Sequence, residues 1–141
     1  MPYCTQDDIL QQLDEDTLVQ LTDDVGIGSV DADVVTRAIS DADATIDAYC
    51  QGRYSVPLDP VPGMIRKISV DISIYNLYSR RVDEVPDSRL ERYKNAIRFL
   101  EKVAAGQISL GAAAPAPETT GNSVDIDQAD RIFTRDKMEG F

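Results

Sequence analysis

The 141-residue chain is long enough for one domain with one modest core, and its 43% hydrophobic content is too high for a broadly disordered protein. It contains no histidine, which excludes His-based triads and His-ligated metal sites. The formal net charge is −11, and all of it sits in the first third: residues 1–50 hold twelve acidic side chains against Arg37 alone, whereas residues 51–141 hold thirteen of each sign. Free DNA or an anionic membrane is a poor partner for so acidic a segment. No apolar run approaches the ~20 residues that span a bilayer, because Asp71 and Ser73 interrupt even the stretch from Ile68 to Leu77. The N-terminus shows no basic n-region and no apolar h-region, so a soluble, cytoplasmically made protein is expected. Cys4 and Cys50 form no metal-ligand spacing and are expected to be reduced, Cys50 as a small core residue on a helix.

In chain order, Thr5 opens a short amphipathic helix, with Asp8 as its capping partner and Ile9, Leu10 and Leu13 on one side. After a break at Asp14, Glu15 and Asp16, the apolar signal resumes at Leu18, Val19 and Leu21. Val25 to Ser29 reads as a loop. Its two glycines lack the remainder of a phosphate-binding motif, so a plain turn is the reading. Asp31 is a good N-cap for a long helix to about Cys50, with Val35, Ala38, Ile39, Ala42, Ile46 and Tyr49 as its buried stripe. Asp33, Asp41, Asp43 and Asp47 fall mostly off that stripe, which suggests a solvated face or one that meets a basic partner.

Gly52 closes this helix, and Gly52–Gly63 is a proline-punctuated loop through which helix cannot run. Residues 62–81 carry two overlapping patterns. Ile68, Val70, Ile72 and Ile74 alternate as in a strand, yet Ile65, Ile68, Ile72 and Tyr75 also fit helical spacing. A stretch this long without a turn signal favours a helix that is apolar on two faces and central to the core. Asp87 is the expected cap of a last helix to about Ala105, ended by Gly106. Leu90, Tyr93, Ile97, Leu100 and Ala104 form its expected stripe, and Arg89, Arg92, Lys94, Arg98 and Lys102 lie off it as a basic surface.

Residues 1–110 are therefore expected to form a mainly α domain, a small bundle of about four to five helices with a Pro-rich interhelical loop. Residues 111–122, rich in Ala and Pro, read as a flexible linker. Residues 123–141 read as an extended tail with too few apolar residues for a core of its own, a docking segment. No catalytic constellation emerges, and no cofactor is implied. Asp41, Asp43 and Asp47 resemble the start of a calcium loop, but Ile46 and Gly52 stand where Gly and Glu are required. Tyr93, the aromatic nearest the basic residues, lies on the buried stripe and is a core residue before it is a base-stacking one.

The run Ala48-Tyr49-Cys50-Gln51-Gly52-Arg53-Tyr54-Ser55-Val56-Pro57-Leu58 with Val61 and Pro62 resembles the signature of the Mu-like phage head–tail connector (adaptor) family. So do Ile74 to Arg81, Arg92 to Ala96 with Leu100 and Gly106, the opening Tyr3 to Leu10, and the ending Arg131 to Phe141. The order and spacing of these stretches carry the likeness, which covers nearly the whole chain. The resemblance implies a non-enzymatic, mostly helical virion subunit at the head–tail junction, assembled in the host cytoplasm. It would form a homo-oligomeric ring, a dodecamer, below the portal protein. A downstream stopper or tail-terminator protein would follow it, and phage DNA would pass through without sequence-specific binding; no membrane is involved. Candidate assembly residues are Arg53, Tyr54, Pro57, Arg89, Arg92, Arg98, Arg131, Phe133, Arg135 and Phe141. For the loop Arg53–Pro57 the first reading is helix–helix packing with Tyr54 as a core plug, and a ring or portal contact is the alternative. The acidic first third is expected to meet a neighbour's basic helix or else to line the channel, and the tail to dock on another subunit. The competing reading is an acidic inhibitor or DNA mimic that binds a host nucleic-acid enzyme.

Overall fold

The computed structural model describes residues 2–80 and 84–111, which form five helices and no strand. These are α1 (Gln6–Leu10), α2 (Glu15–Thr22), α3 (Ala32–Cys50), α4 (Gly63–Ser79) and α5 (Asp87–Ala104). The expected helical bundle is what forms. The linker beyond Gly111 and the docking segment at 123–141 lie outside the described residues.

The helix starts follow local chemistry. Thr5 and Asp8 make a reciprocal capping box: Asp8 N–H donates to the Thr5 hydroxyl at 3.3 Å, and Thr5 N–H donates to the Asp8 carboxylate at 2.9 Å. Asp31 caps α3 by accepting from Asp33 N–H at 3.0 Å and Val34 N–H at 3.4 Å. Asp87 does not cap α5. Pro86 holds that position, its carbonyl accepting from Arg89 and Leu90 N–H at 3.0 Å each, and Asp87 is the first helical residue. There its carboxylate still favours the positive end of the helix dipole. At the other end Gly106, at φ 79°, completes a Schellman motif, in which Gly106 and Gln107 donate to the carbonyls of Val103 and Lys102.

The ambiguous stretch after Pro62 is helix. Every residue of α4 from Ile68 to Ile74 is buried, around its whole circumference. The strand-like alternation has a packing cause. Ser69, Asp71 and Ser73 go inside beside the isoleucines because polar groups meet them there: Cys4 Sγ and Asp43 at Ser69, Cys4 again at Ser73, and Lys67 at Asp71. On α5 the buried line is Ala96, Leu100 and Val103. Leu90, Tyr93 and Ile97 are only half-buried, and Ala104 is exposed. The expected stripe was thus rotated, because the small Ala96 and the β-branched Val103 pack inward.

The core has two parts that share α3 and α4. Ala42, Ile46 and Cys50 of α3 join Ile65, Ile68 and Ile72 of α4, the inward line of α5, and Tyr3, Tyr54 and Leu58. Val35, Ala38 and Ile39 join Val70, Ile74 and Leu77, with Ile9, Leu13 and Leu18 of the α1–α2 region. The C-terminal half of α3 therefore meets the N-terminal half of α4, so the two helices run antiparallel as a spine. A Tyr75–Tyr93 stack, centroids 3.8 Å apart and planes 10° from parallel, ties α4 to α5.

Both cysteines are free and buried. Burial, with a smaller contribution from Asp47, pushes the Cys50 thiol up to about 11. Neither thiol should react with Ellman's reagent in the folded protein, and both should react in denaturant; fast native labelling of Cys50 would show that the spine opens there. Ile46→Ala, at a fully buried position, should cost roughly 2–5 kcal/mol in urea unfolding.

Candidate functional site

The proposed assembly residues occupy two places on the bundle. At the C-terminal end of α5, the exposed Arg53 lays its guanidinium over Gly106 and donates from Nε to the Ala104 carbonyl at 3.3 Å. A Cβ on Gly106 would lie 2.1 Å from the nearest Arg53 nitrogen, so the glycine is needed for this contact as well as for its φ. Tyr54 is buried, and its hydroxyl accepts from Leu110 N–H at 3.0 Å. The core-plug reading of Tyr54 therefore holds. Pro57 is exposed and follows a cis peptide bond, as does Pro60. Arg53 and Tyr54 thus tie the start of the 51–62 loop to the residues at and after the end of α5.

The second group sits at the start of α5. Arg89 donates from Nη2 to the Gln12 carbonyl at 2.8 Å, and Arg92 from Nη1 to the Gln12 side-chain carbonyl at 2.7 Å. These arginines bind the α1–α2 connection of their own chain. The Arg89 Nη1 atom is buried without a hydrogen-bond partner. Among the described residues Arg98 donates to its helical neighbour Asn95, at 3.3 Å, and stands exposed between exposed Lys94 and Lys102. The cations of α5 that are open to a neighbour are thus Lys94, Arg98 and Lys102, with exposed Asp87, Glu91 and Glu101 on the same helix. Arg131, Phe133, Arg135 and Phe141 lie outside the described residues.

Two features stand apart from the candidate residues. The first is an N-terminal arm. Tyr3 N–H donates to both carboxylate oxygens of Asp43, at 3.3 and 3.2 Å, and the Tyr3 hydroxyl donates to Asp47 while accepting from Leu58 N–H at 2.9 Å. Asp43 and Asp47 are therefore not simply a solvated face; they clamp the chain's start onto the spine. Burial, and then the bond to Asp47, hold the Tyr3 phenol well above its usual range. Pro2, Thr5 and Gln6 of this region, with Val35, Ile39 and Asp43, line a surface cavity of about 470 Å³. Polar Ser69 and Ser73 on a largely apolar helix were the available hint, with no indication of their partners.

The second is the loop after α2. Asp23 accepts from Gly26, Ile27 and Gly28 N–H at 2.9, 3.0 and 2.7 Å, which holds its carboxyl below the usual carboxylate range. Arg80 closes the loop base, donating to the Leu21 carbonyl at 2.9 Å and pairing with Asp24 at 2.6 Å. An Asp followed by two glycines in alternate positions was the available signal. Among the described residues no group of His, Cys, Asp or Glu is arranged to hold a metal ion, and no helix is long and apolar enough to cross a membrane.

Fold and surfaces together define a small helical bundle with an acid-rich α1–α3 region and an α5 whose exposed Lys94, Arg98 and Lys102 stand among Asp87, Glu91 and Glu101. The chain belongs to the family described as Bacteriophage Mu, Gp36, whose model matches residues 3–127. It is 37% identical over 115 residues to the Mu-like prophage FluMu protein gp36 of Haemophilus influenzae, covering 80% of this chain and 79% of that one. It is also 28% identical to Gene product J of Escherichia phage Mu over 147 aligned positions, covering 100% of this chain and 99% of the relative. It is thus a Mu-like phage protein.

Burial raises the Asp43 carboxyl above its usual range, against the opposing hydrogen bonds from Tyr3 and Ser69. The folded protein then holds this proton more tightly than the unfolded chain does. The stability it contributes is complete below the unfolded value near pH 4 and is lost as pH rises through the raised folded value. Asp43→Asn keeps an acceptor for Tyr3 but does not titrate. Urea midpoints should therefore shift in favour of the variant, relative to the parent, between about pH 4 and pH 7; a constant difference would mean that Asp43 titrates normally.

Proposed function

We propose that this protein is a structural subunit of the phage head–tail connector and not an enzyme. It forms a ring below the portal protein, continues the DNA channel and receives a stopper or tail-terminator protein at the head–tail junction. The observation that carries this reading is the separation of charge on one rigid bundle. Exposed Asp7, Glu15, Asp16, Asp33 and Asp41 belong to α1–α3 against exposed Arg37, whereas α5 exposes Arg92, Lys94, Arg98 and Lys102 among Asp87, Glu91 and Glu101. A closed ring built from one kind of subunit needs a heterologous interface, in which one face of each copy meets a different face of the next. Opposite charge on the two faces steers that encounter and disfavours the wrong pairing of like faces.

Membership of a Mu-like phage family supports the same reading. The acidic-mimic alternative requires negative charge spread across the surface, and the exposed cations of α5 oppose it. The engaged state of Arg89 and Arg92 narrows the expected contact. Those two arginines hold the bundle's own α1–α2 connection, so the intersubunit charge contact falls to Lys94, Arg98 and Lys102. The tail at 123–141 would dock on a neighbouring subunit or on the portal.

Particle mass and negative-stain imaging of the full chain, alone and with portal protein, test the proposal. Discrete rings or capped portals are expected, and Lys94→Glu with Arg98→Glu should abolish them without loss of helical signal. A monomer that ignores portal and binds a nucleic-acid enzyme would overturn the connector in favour of the mimic.

A further inference from the structure

Three large apolar side chains stand exposed among the described residues: Val25 and Ile27, each 76% exposed, and Met64, 46% exposed. They fall at two places. Val25 and Ile27 form the tip of the loop after α2, beside the C-terminal end of α4, where Arg80 grips Leu21 and Asp24. Met64 lies in the first turn of α4, at the opposite end. Sixteen residues of α-helix separate Met64 from Arg80, about 24 Å. The two patches cannot meet within one chain.

The tip is held in shape before any partner arrives. Asp23 fixes three consecutive backbone N–H groups, and Gly26 and Gly28 take φ values of 80° and 82° that other residues resist. At the loop's exit, Asp31 N–H donates to the Thr22 hydroxyl at 3.1 Å, and that hydroxyl donates to the Leu18 carbonyl at 2.8 Å. A rigid loop that directs two aliphatic side chains into water loses little entropy on docking. At the other end, a groove of about 90 Å³ opens between α4 and α5, with room for a single branched aliphatic side chain. Met64, Ile68 and Phe99 supply its apolar surface, beside Arg92 and the Lys67–Asp71 pair at 3.0 Å. The tip carries Asp23 and the Asp24–Arg80 pair, which leaves the tip net negative and the groove net positive.

We propose that the Val25–Ile27 tip of one copy docks in the α4–α5 groove at Met64 and Phe99 of the next copy, head to tail. This rests on the ring reading above and names the contact that would close it. One apolar plug and one apolar socket, of opposite charge and at opposite ends of one rigid bundle, are what a heterologous contact joins. The occupant is therefore a second copy of this chain.

The test uses full-length protein under conditions in which the parent assembles, alone or on portal. Ile27→Cys and Met64→Cys chains are mixed and oxidised; the native thiols are buried and stay out of the reaction. The mixture should give a cross-linked dimer that neither variant gives alone. Separately, Ile27→Asp should raise the concentration for half-assembly about tenfold or more, with helical signal and thermal midpoint unchanged. Assembled particles without the mixed cross-link, equal cross-linking by Ile27→Cys alone, or normal assembly of Ile27→Asp would each overturn the docking while leaving the ring intact. A parent chain that assembles neither alone nor on portal would overturn the ring and the docking together.

Discussion

The antiparallel packing of α3 against α4 is the contact on which everything else in this protein rests. Both parts of the core are built on it: Ala42, Ile46 and Cys50 against Ile65, Ile68 and Ile72 at one end, and Val35, Ala38 and Ile39 against Val70, Ile74 and Leu77 at the other. A helix with only one apolar stripe could not serve both neighbours, which is why α4 buries its whole circumference from Ile68 to Ile74. The remaining pieces attach to this pair. α5 closes one side through Ala96, Leu100 and Val103, the α1–α2 region closes the other through Ile9, Leu13 and Leu18, and Tyr3 fastens the N-terminal segment to α3 and to the loop at Leu58.

Rigidity of the spine is what gives the surfaces their meaning. Because α4 is one uninterrupted helix, features at its two ends keep a fixed separation. The Asp23-clamped loop stands at one end, and the Met64 groove at the other. The arginines divide in the same way. Arg53, Arg80, Arg89 and Arg92 each bind backbone carbonyls or polar side chains of their own chain, at helix ends and connections. Among the described residues Arg37, Arg66 and the exposed cations of α5 remain open to solvent.

Much of this was legible in the sequence wherever the determining interactions are local. Thr5 with Asp8, and Asp31 with the following N–H groups, are caps that act within three residues, and each marks its helix start correctly. The rule failed at α5, because Asp87 is as good a cap by type as Asp31, and only the path of the chain puts Pro86 in that position. The orientation of α5 was also misread. Its apolar residues cover a broad arc, so which line turns inward depends on the small Ala96 and its neighbours on α3 and α4. What stayed hidden is nonlocal: Tyr3 finds Asp43 and Asp47 some forty residues away, and Arg89 and Arg92 find Gln12 nearly eighty away. The Val25–Ile27 loop was recognisable as a turn, but its exposure was not, since apolar residues in a loop more often fold back onto a core.

We propose that these bundles form the collar between a phage head and its tail. Cryo-electron microscopy of tailed particles made by a phage that encodes this chain tests it most directly. The prediction is a ring of copies of this bundle around the DNA channel, directly below the portal, with α3 and α4 resolved as the antiparallel pair in every copy. Density at that junction fully explained by other proteins, with this chain absent from purified particles, would contradict it.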